Sequence, residues 1–203
     1  MLAEAHRGGR EQVVPPGEQE TMPQATRYHP LLVTLHWLLA LLIIAMLLIG
    51  FFVLEPMPNA QPQKIDILRV HMLVGMLILA LMAARLIVRW LTAKPPAATT
   101  GSTLLDRIAR LVHYGFYLLI LLMVASGYAT AILAGLNRSV FQRSGDPLPA
   151  SFETYPSFQA HGFLAVLLTG LIGLHVAAAL FHQFVRRDRL ISRMLFGRRG
   201  LTQ

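Results

Sequence analysis

The sequence predicts an all-α protein, a transmembrane four-helix bundle. Three observations predict it. Four stretches are apolar and long enough to cross a bilayer, whose hydrocarbon core takes about 20 helical residues. Charged residues are only 14% of the 203, and hydrophobic ones 55%; soluble domains carry about 25% charged residues. The basic residues lie beside the apolar stretches, as the positive-inside rule requires.

Residues 1–26 are polar and hold Gly8, Gly9, Pro15, Pro16 and Pro23. They lack an apolar core segment and a small-residue cleavage site, so a disordered cytoplasmic tail is expected rather than a secretory signal. The bundle is expected over 27–197, followed by a basic end at 198–203. Span one covers 31–54 and is stopped by Glu55, Pro56 and Pro58. Span two covers 65–90, with His71 near its start and Arg85 and Arg89 near its end. A loop with Pro95, Pro96 and Gly101 leads to span three, 104–136, whose first turns lie at the interface. Residues 137–157 form the longest loop, with Gly145, Pro147, Pro149 and Pro156. Span four covers 159–184 and carries His161, His175 and His182.

The net charge is +8 and the pI about 10.8. In a soluble chain that balance would suggest nucleic acid. Here anionic lipid headgroups account for it, and no nucleic-acid partner is expected. Arg89, Lys94, Arg107 and Arg110 surround the second loop, and Arg186, Arg187, Arg189, Arg193, Arg198 and Arg199 crowd the C-terminal end. The other two loops hold Lys64, Arg138 and Arg143, offset by Glu55, Asp66, Asp146 and Glu153. Both termini are therefore expected in the cytoplasm. Cysteine is absent, which excludes disulfides, covalent c-type haem attachment and cysteine-held iron–sulfur clusters. A redox metal would have to be held by histidine.

One interval recurs in all four spans. His36 precedes Gly50, His71 precedes Arg85, His113 precedes Gly127 and His161 precedes His175, each by fourteen residues. Fourteen residues fall roughly 40° short of four helical turns and rise ~21 Å. Each pair thus shares a face and brackets two depths. Alternating span direction sorts them. His71, His161, Gly50 and Gly127 fall towards the outside; His36, His113, His175 and Arg85 fall towards the cytoplasm. A lone transmembrane histidine is commonly a hydrogen-bonded packing residue, and sorting by depth into two groups is what sets these apart.

Two histidines alone suit haem iron, because the porphyrin supplies four more nitrogens, whereas zinc wants further protein ligands or water. Glycine at haem level lets a flat macrocycle approach the backbone. A guanidinium such as Arg85 pairs with a propionate in a planar fork. His113 has no outer-level histidine on its own helix and reads as a haem-edge or propionate contact. His182, seven residues beyond His175, sits about 20° off the same face and ~10.5 Å nearer the cytoplasm. Two readings of it stand open, a quinone or propionate contact and a solvated interfacial side chain. His29 and His6 lie outside the core and receive no role.

The sequence resembles the bacterial cytochrome b561 family, related to the b-type cytochrome subunits of nickel–iron hydrogenases. The likeness runs over about 27–197. It rests on RYHPLLVTLHW, on His71 with Gly75 four residues on, on RLIVRW with Pro95–Pro96, on Ser126–Gly127, and on AHGFLAVLLTGLIGLHVAAALFHQFVRRD followed by SRML. Gln183, Ala125, Met72, Leu73 and Gly162 depart from the family's usual residues, and none removes a histidine of the pattern. The resemblance implies a four-helix bundle with two b haems, one held by His36 and His175, the other by His71 and His161, with His113 as a non-ligand. It also implies electron transfer between the membrane quinone pool and another donor or acceptor in the bacterial inner membrane. One branch resembles a superoxide oxidase that passes electrons to ubiquinone. The expected partners are membrane lipid, a quinone, and superoxide or a redox partner protein. Two rivals remain: a haem-bearing membrane anchor of a dehydrogenase or hydrogenase, and a non-redox transporter using histidines as a proton relay.

Overall fold

The computed structural model describes residues 24–25, 27–93, 95–96, 103–142, 144–188, 190–197 and 201–202. The expected tail at 1–26 and basic end at 198–203 lie almost wholly outside the described residues.

Four long helices carry the chain. Helix α1 (Pro30–Ile49) continues through a wider π turn, Gly50–Leu54; α2 is Gln63–Leu91; α3 is Thr103–Leu133; α4 is Pro156–Phe181, continued by a π turn at His182–Arg186. All four are long and apolar enough to cross a membrane. Pro30 and Pro156 open α1 and α4 at positions where a missing amide proton costs nothing. His29 caps α1, its Nδ1 accepting from the Leu31 amide at 3.2 Å. A residue given no role from the sequence thus starts the first span. Asp66 in the first turn of α2 and Arg89 in its last complement the helix dipole. Helix α3 ends at Leu133, three residues before the expected 136. The chain turns at Gly135, whose φ of +64° favours glycine.

Helix α1 packs chiefly on α2 and α3 on α4, with α2 joining the pairs. The central layer is built from Leu39, Ile78, Met82, Ile120 and Leu168. Ile78, Ile120 and Leu168 each stand seven residues after a histidine of their own helix, which is about half of the fourteen-residue interval. An apolar floor therefore lies between the two histidine levels. Outward faces are apolar and open, with Leu41, Phe52, Trp90, Leu111 and Phe184 among the most exposed side chains. That is the surface a lipid environment requires.

The two ends differ. At one, here the terminal end, Gln24–Ala25 pairs antiparallel with Leu201–Thr202. A short 3-10 turn, Leu190–Met194, crosses this end. Trp37 Nε1 donates to the Met194 carbonyl at 2.7 Å, and Arg193 donates to the Pro96 carbonyl at 2.8 Å. Arg27 donates to the carbonyls of Leu195 and Phe196.

At the opposite, far end the segment after α3 is packed rather than loose. Ala131, Leu136, Val140, Leu148 and Phe152 form a second buried cluster against Ile65, Leu68 and Met72 of α2. Val140 is wholly buried. Arg69 donates to its carbonyl at 2.7 Å and pairs with Asp66. Asn59 ties the first far-end loop to the Pro149 carbonyl at 2.7 Å.

Candidate functional site

The bundle brings the histidines together in two groups. At the far end the rings of His71 and His161 face each other with centres 6.1 Å apart and planes at 66°. At the terminal end His36 and His175 stand 6.4 Å apart at 68°. His113 joins this second group, 5.6 Å from His175 and perpendicular to it. Phe116 contacts the same ring at 5.4 Å, and Trp37 contacts His36 at 5.3 Å. A metal–imidazole bond of about 2 Å, with the ring centre about 1 Å beyond the nitrogen, sets two opposed ligand rings about 6 Å apart. Both separations suit one metal between two imidazoles.

Among the described residues no three His, Cys, Asp or Glu side chains converge to hold an ion. A metal at either level would need its remaining ligands from a macrocycle. Space for one exists at the far end. A cavity of about 900 Å³ is lined by His71, His161, Gly50, Gly75, Gly127 and Phe152, among others. A Cβ at Gly50 or Gly75 would meet nothing within 4 Å, so bare backbone faces open space there. At Gly127 the reason differs. A Cβ would stand 3.1 Å from His161 Cε1 and 3.2 Å from its Nδ1. The space a side chain would take is used by the histidine ring itself.

The second nitrogens carry further detail. His161 Nδ1 lies 3.0 Å from the Met123 carbonyl and 3.2 Å from Ser126 Oγ. Donation from Nδ1–H to that carbonyl leaves Nε2 bare, the tautomer a metal ligand needs. His71 Nδ1 is buried with no protein partner. His113 Nδ1 is instead engaged with the Ala109 carbonyl one turn back, at 2.6 Å.

Arg85 is 9% exposed and sits on α2. Its Nη1 donates to the Tyr117 hydroxyl at 2.5 Å, and its guanidinium stands 5.8 Å from that ring's centre. Its Nε is buried without a partner. Tyr117, one turn after His113, escaped the sequence reading, although that one-turn spacing was its signal. His182 turns to Asp188, with Nδ1 2.5 Å from Oδ2. Burial pushes the Asp188 carboxyl up, yet the hydrogen bonds from His182 and the Leu190 amide outweigh it and leave it below the usual carboxylate range. Lys64 is the other residue missed. It lines the far-end cavity and is buried.

Residues 27–197 match the family described as prokaryotic cytochrome b561. The chain belongs to this family. It is 30% identical over 183 residues to a probable superoxide oxidase CybB of Yersinia pestis, covering 86% of this chain and 98% of that protein. It is 30% identical over 178 residues to a cytochrome b562 of Cereibacter sphaeroides, with the same coverage of 86% and 98%. Likeness to cytochrome b561 homolog 2 of Escherichia coli K12 is 25% over 177 residues, 83% of this chain and 91% of the relative. As a member of the cytochrome b561 family the chain is a bacterial multi-pass membrane cytochrome of electron transport. Membership also implies b-type haem. The residues present fit that group: facing imidazoles at ligand spacing, an unpartnered buried nitrogen on His71, and a cavity with bare glycines.

Proposed function

We propose that the chain holds two b haems and carries electrons across the bacterial inner membrane to the quinone pool. His71 and His161 would hold one haem and His36 and His175 the other. The observation that carries this reading is the pair of histidine couples at 6.1 and 6.4 Å, with an apolar layer between them. Haem supplies a one-electron iron couple when bound. The chain's residues do the rest. Histidines fix position, and the Met123 carbonyl sets the His161 tautomer. Leu39, Ile78, Ile120 and Leu168 keep water out between the levels. Arg85 supplies a buried cation on α2, seven residues beyond Ile78 of that layer, for a propionate. His113 would be a contact rather than a ligand, because the family pattern pairs His175 with His36.

The named activity of the Yersinia relative supports superoxide as the electron donor. Two superoxide anions would each give up one electron and leave as dioxygen; a quinone would take the two electrons and two protons to become the quinol. Both termini would face the cytoplasm, which a reporter active only outside the membrane, fused after Gln203, would test by staying silent. The reading as a whole is tested by a dithionite-reduced spectrum with haem quantification on the purified protein. Two b haems per chain are expected, and one or none overturns it. Superoxide-driven quinone reduction by the protein alone tests the donor. Its failure in a protein carrying both haems would assign the donor role to a partner subunit.

A further inference from the structure

Lys64 is a charged group that the site described above does not use. It stands in the first turn of α2, seven residues before His71. Seven residues are about 20° short of two turns and ~10.5 Å of rise, so Lys64 shares the His71 face, nearer the far-end surface. The side chain is only 5% exposed. It lines the same cavity as His71 and His161. Its ammonium donates to the Met57 carbonyl at 2.5 Å and stands 5.9 Å from the centre of the Phe152 ring. Among the described residues no carboxylate forms an ion pair with it. Glu55 and Glu153 also line the cavity, both as exposed residues.

An ammonium has three donors, and one carbonyl leaves two of them to satisfy. The one carboxylate whose charge acts on it is the exposed Glu55, and a buried cation so thinly compensated is costly. The cavity's lining is apolar at the central layer, with Ile43, Ile78 and Leu168, and its polar members include Lys64, Asn59 and Ser151 beside the two exposed carboxylates. It suits a flat apolar ligand with a carboxylate edge. We infer that Lys64 binds a propionate of the haem held between His71 and His161. This rests on the two-haem reading above. Lys64 then does at the far end what Arg85 does at the terminal end, as a point charge rather than a planar fork. The rival role is purely structural, a clamp on the Met57 carbonyl that holds the loop between α1 and α2.

Haem loss to an acceptor apoprotein separates the two. The full chain is compared with Lys64→Met and Lys64→Arg, each carrying either haem or its dimethyl ester, which has no propionate charge. The far-end phase is the one missing from His71→Ala. With haem, Lys64→Met should speed that phase roughly tenfold, as expected for a lost charge-assisted hydrogen bond. Lys64→Arg should restore most of it. With the ester, wild type and Lys64→Met should lose haem at the same rate. Redox titration should also show the far-end midpoint potential falling in Lys64→Met, since a nearby cation stabilises the less positive reduced centre. Equal acceleration with haem and ester would make Lys64 a loop clamp and overturn the inference. No acceleration with either would overturn it too. A wild-type protein without a far-end phase would instead sink the two-haem reading, and this inference with it.

Discussion

At the far end, His71 and His161 face each other inside a cavity roofed by the packed residues that follow α3. At the terminal end, His36 and His175 share their space with His113, Trp37 and Phe116, and the cover is a strap held by backbone carbonyls. Among the described residues, the far end is closed by an apolar cluster with a few polar ties, the terminal end by polar ties alone. Apolar packing resists small changes in volume, whereas each polar tie at an exposed edge contributes little. The far end should therefore respond more sharply to steric change, while charge acts at both ends, through Lys64 at one and Arg85 at the other.

Gly127→Val breaks the far end most sharply. The ring of His161 already occupies the space a side chain would need. Overpacking costs about 1–3 kcal/mol, enough to cut far-end haem occupancy roughly tenfold while terminal-end haem stays. Gly115→Ala on the same helix meets Leu171 only at 3.5 Å and should leave both haems in place. Haem content of the purified variants checks this.

Arg85→Gln probes the terminal end by charge. One cation about 10 Å from iron, at an effective dielectric near 20, is worth on the order of 1–2 kcal/mol to the reduced state. The terminal-end midpoint potential should fall by that much, or occupancy should drop, with far-end haem nearly unchanged. Arg85→Lys should restore charge but not the planar fork. Two unshifted haems in a redox titration would leave Arg85 as a packing partner of Tyr117 alone.

Asp188→Asn is the smallest change. The carboxyl is held below its usual range by His182 and the Leu190 amide. Its contribution is present above the ordinary carboxylate pKa of about 3.9 and is lost as pH falls through the depressed value. The pair is partly exposed, so the effect is at most about 1 kcal/mol. Proteolysis of the C-terminal segment should quicken slightly in the variant at neutral pH, and in the wild type only in strong acid.

The four spans were legible from apolar length, and the two histidine levels because a fourteen-residue interval nearly closes four helical turns. Leu168 midway between His161 and His175 shows the same register from the apolar side. What periodicity does not encode stayed hidden. Asp188 reaches His182 across a left-handed turn at Arg187, φ 57°. The far-end roof depends on contacts between α2 and residues beyond Gly135. Gly127 was legible as a special position, but the ring that needs its space comes from another helix. Lys64 counted only as a loop charge until its burial was seen.

The assignment of two axial pairs is tested most directly by counting haem in five single variants, His36→Ala, His71→Ala, His113→Ala, His161→Ala and His175→Ala, from reduced difference spectra and redox titration. His71→Ala and His161→Ala should each lose the same one haem. His36→Ala and His175→Ala should each lose the other, and His113→Ala should keep both. Loss of a haem in His113→Ala with both retained in His36→Ala would contradict the terminal-end pairing.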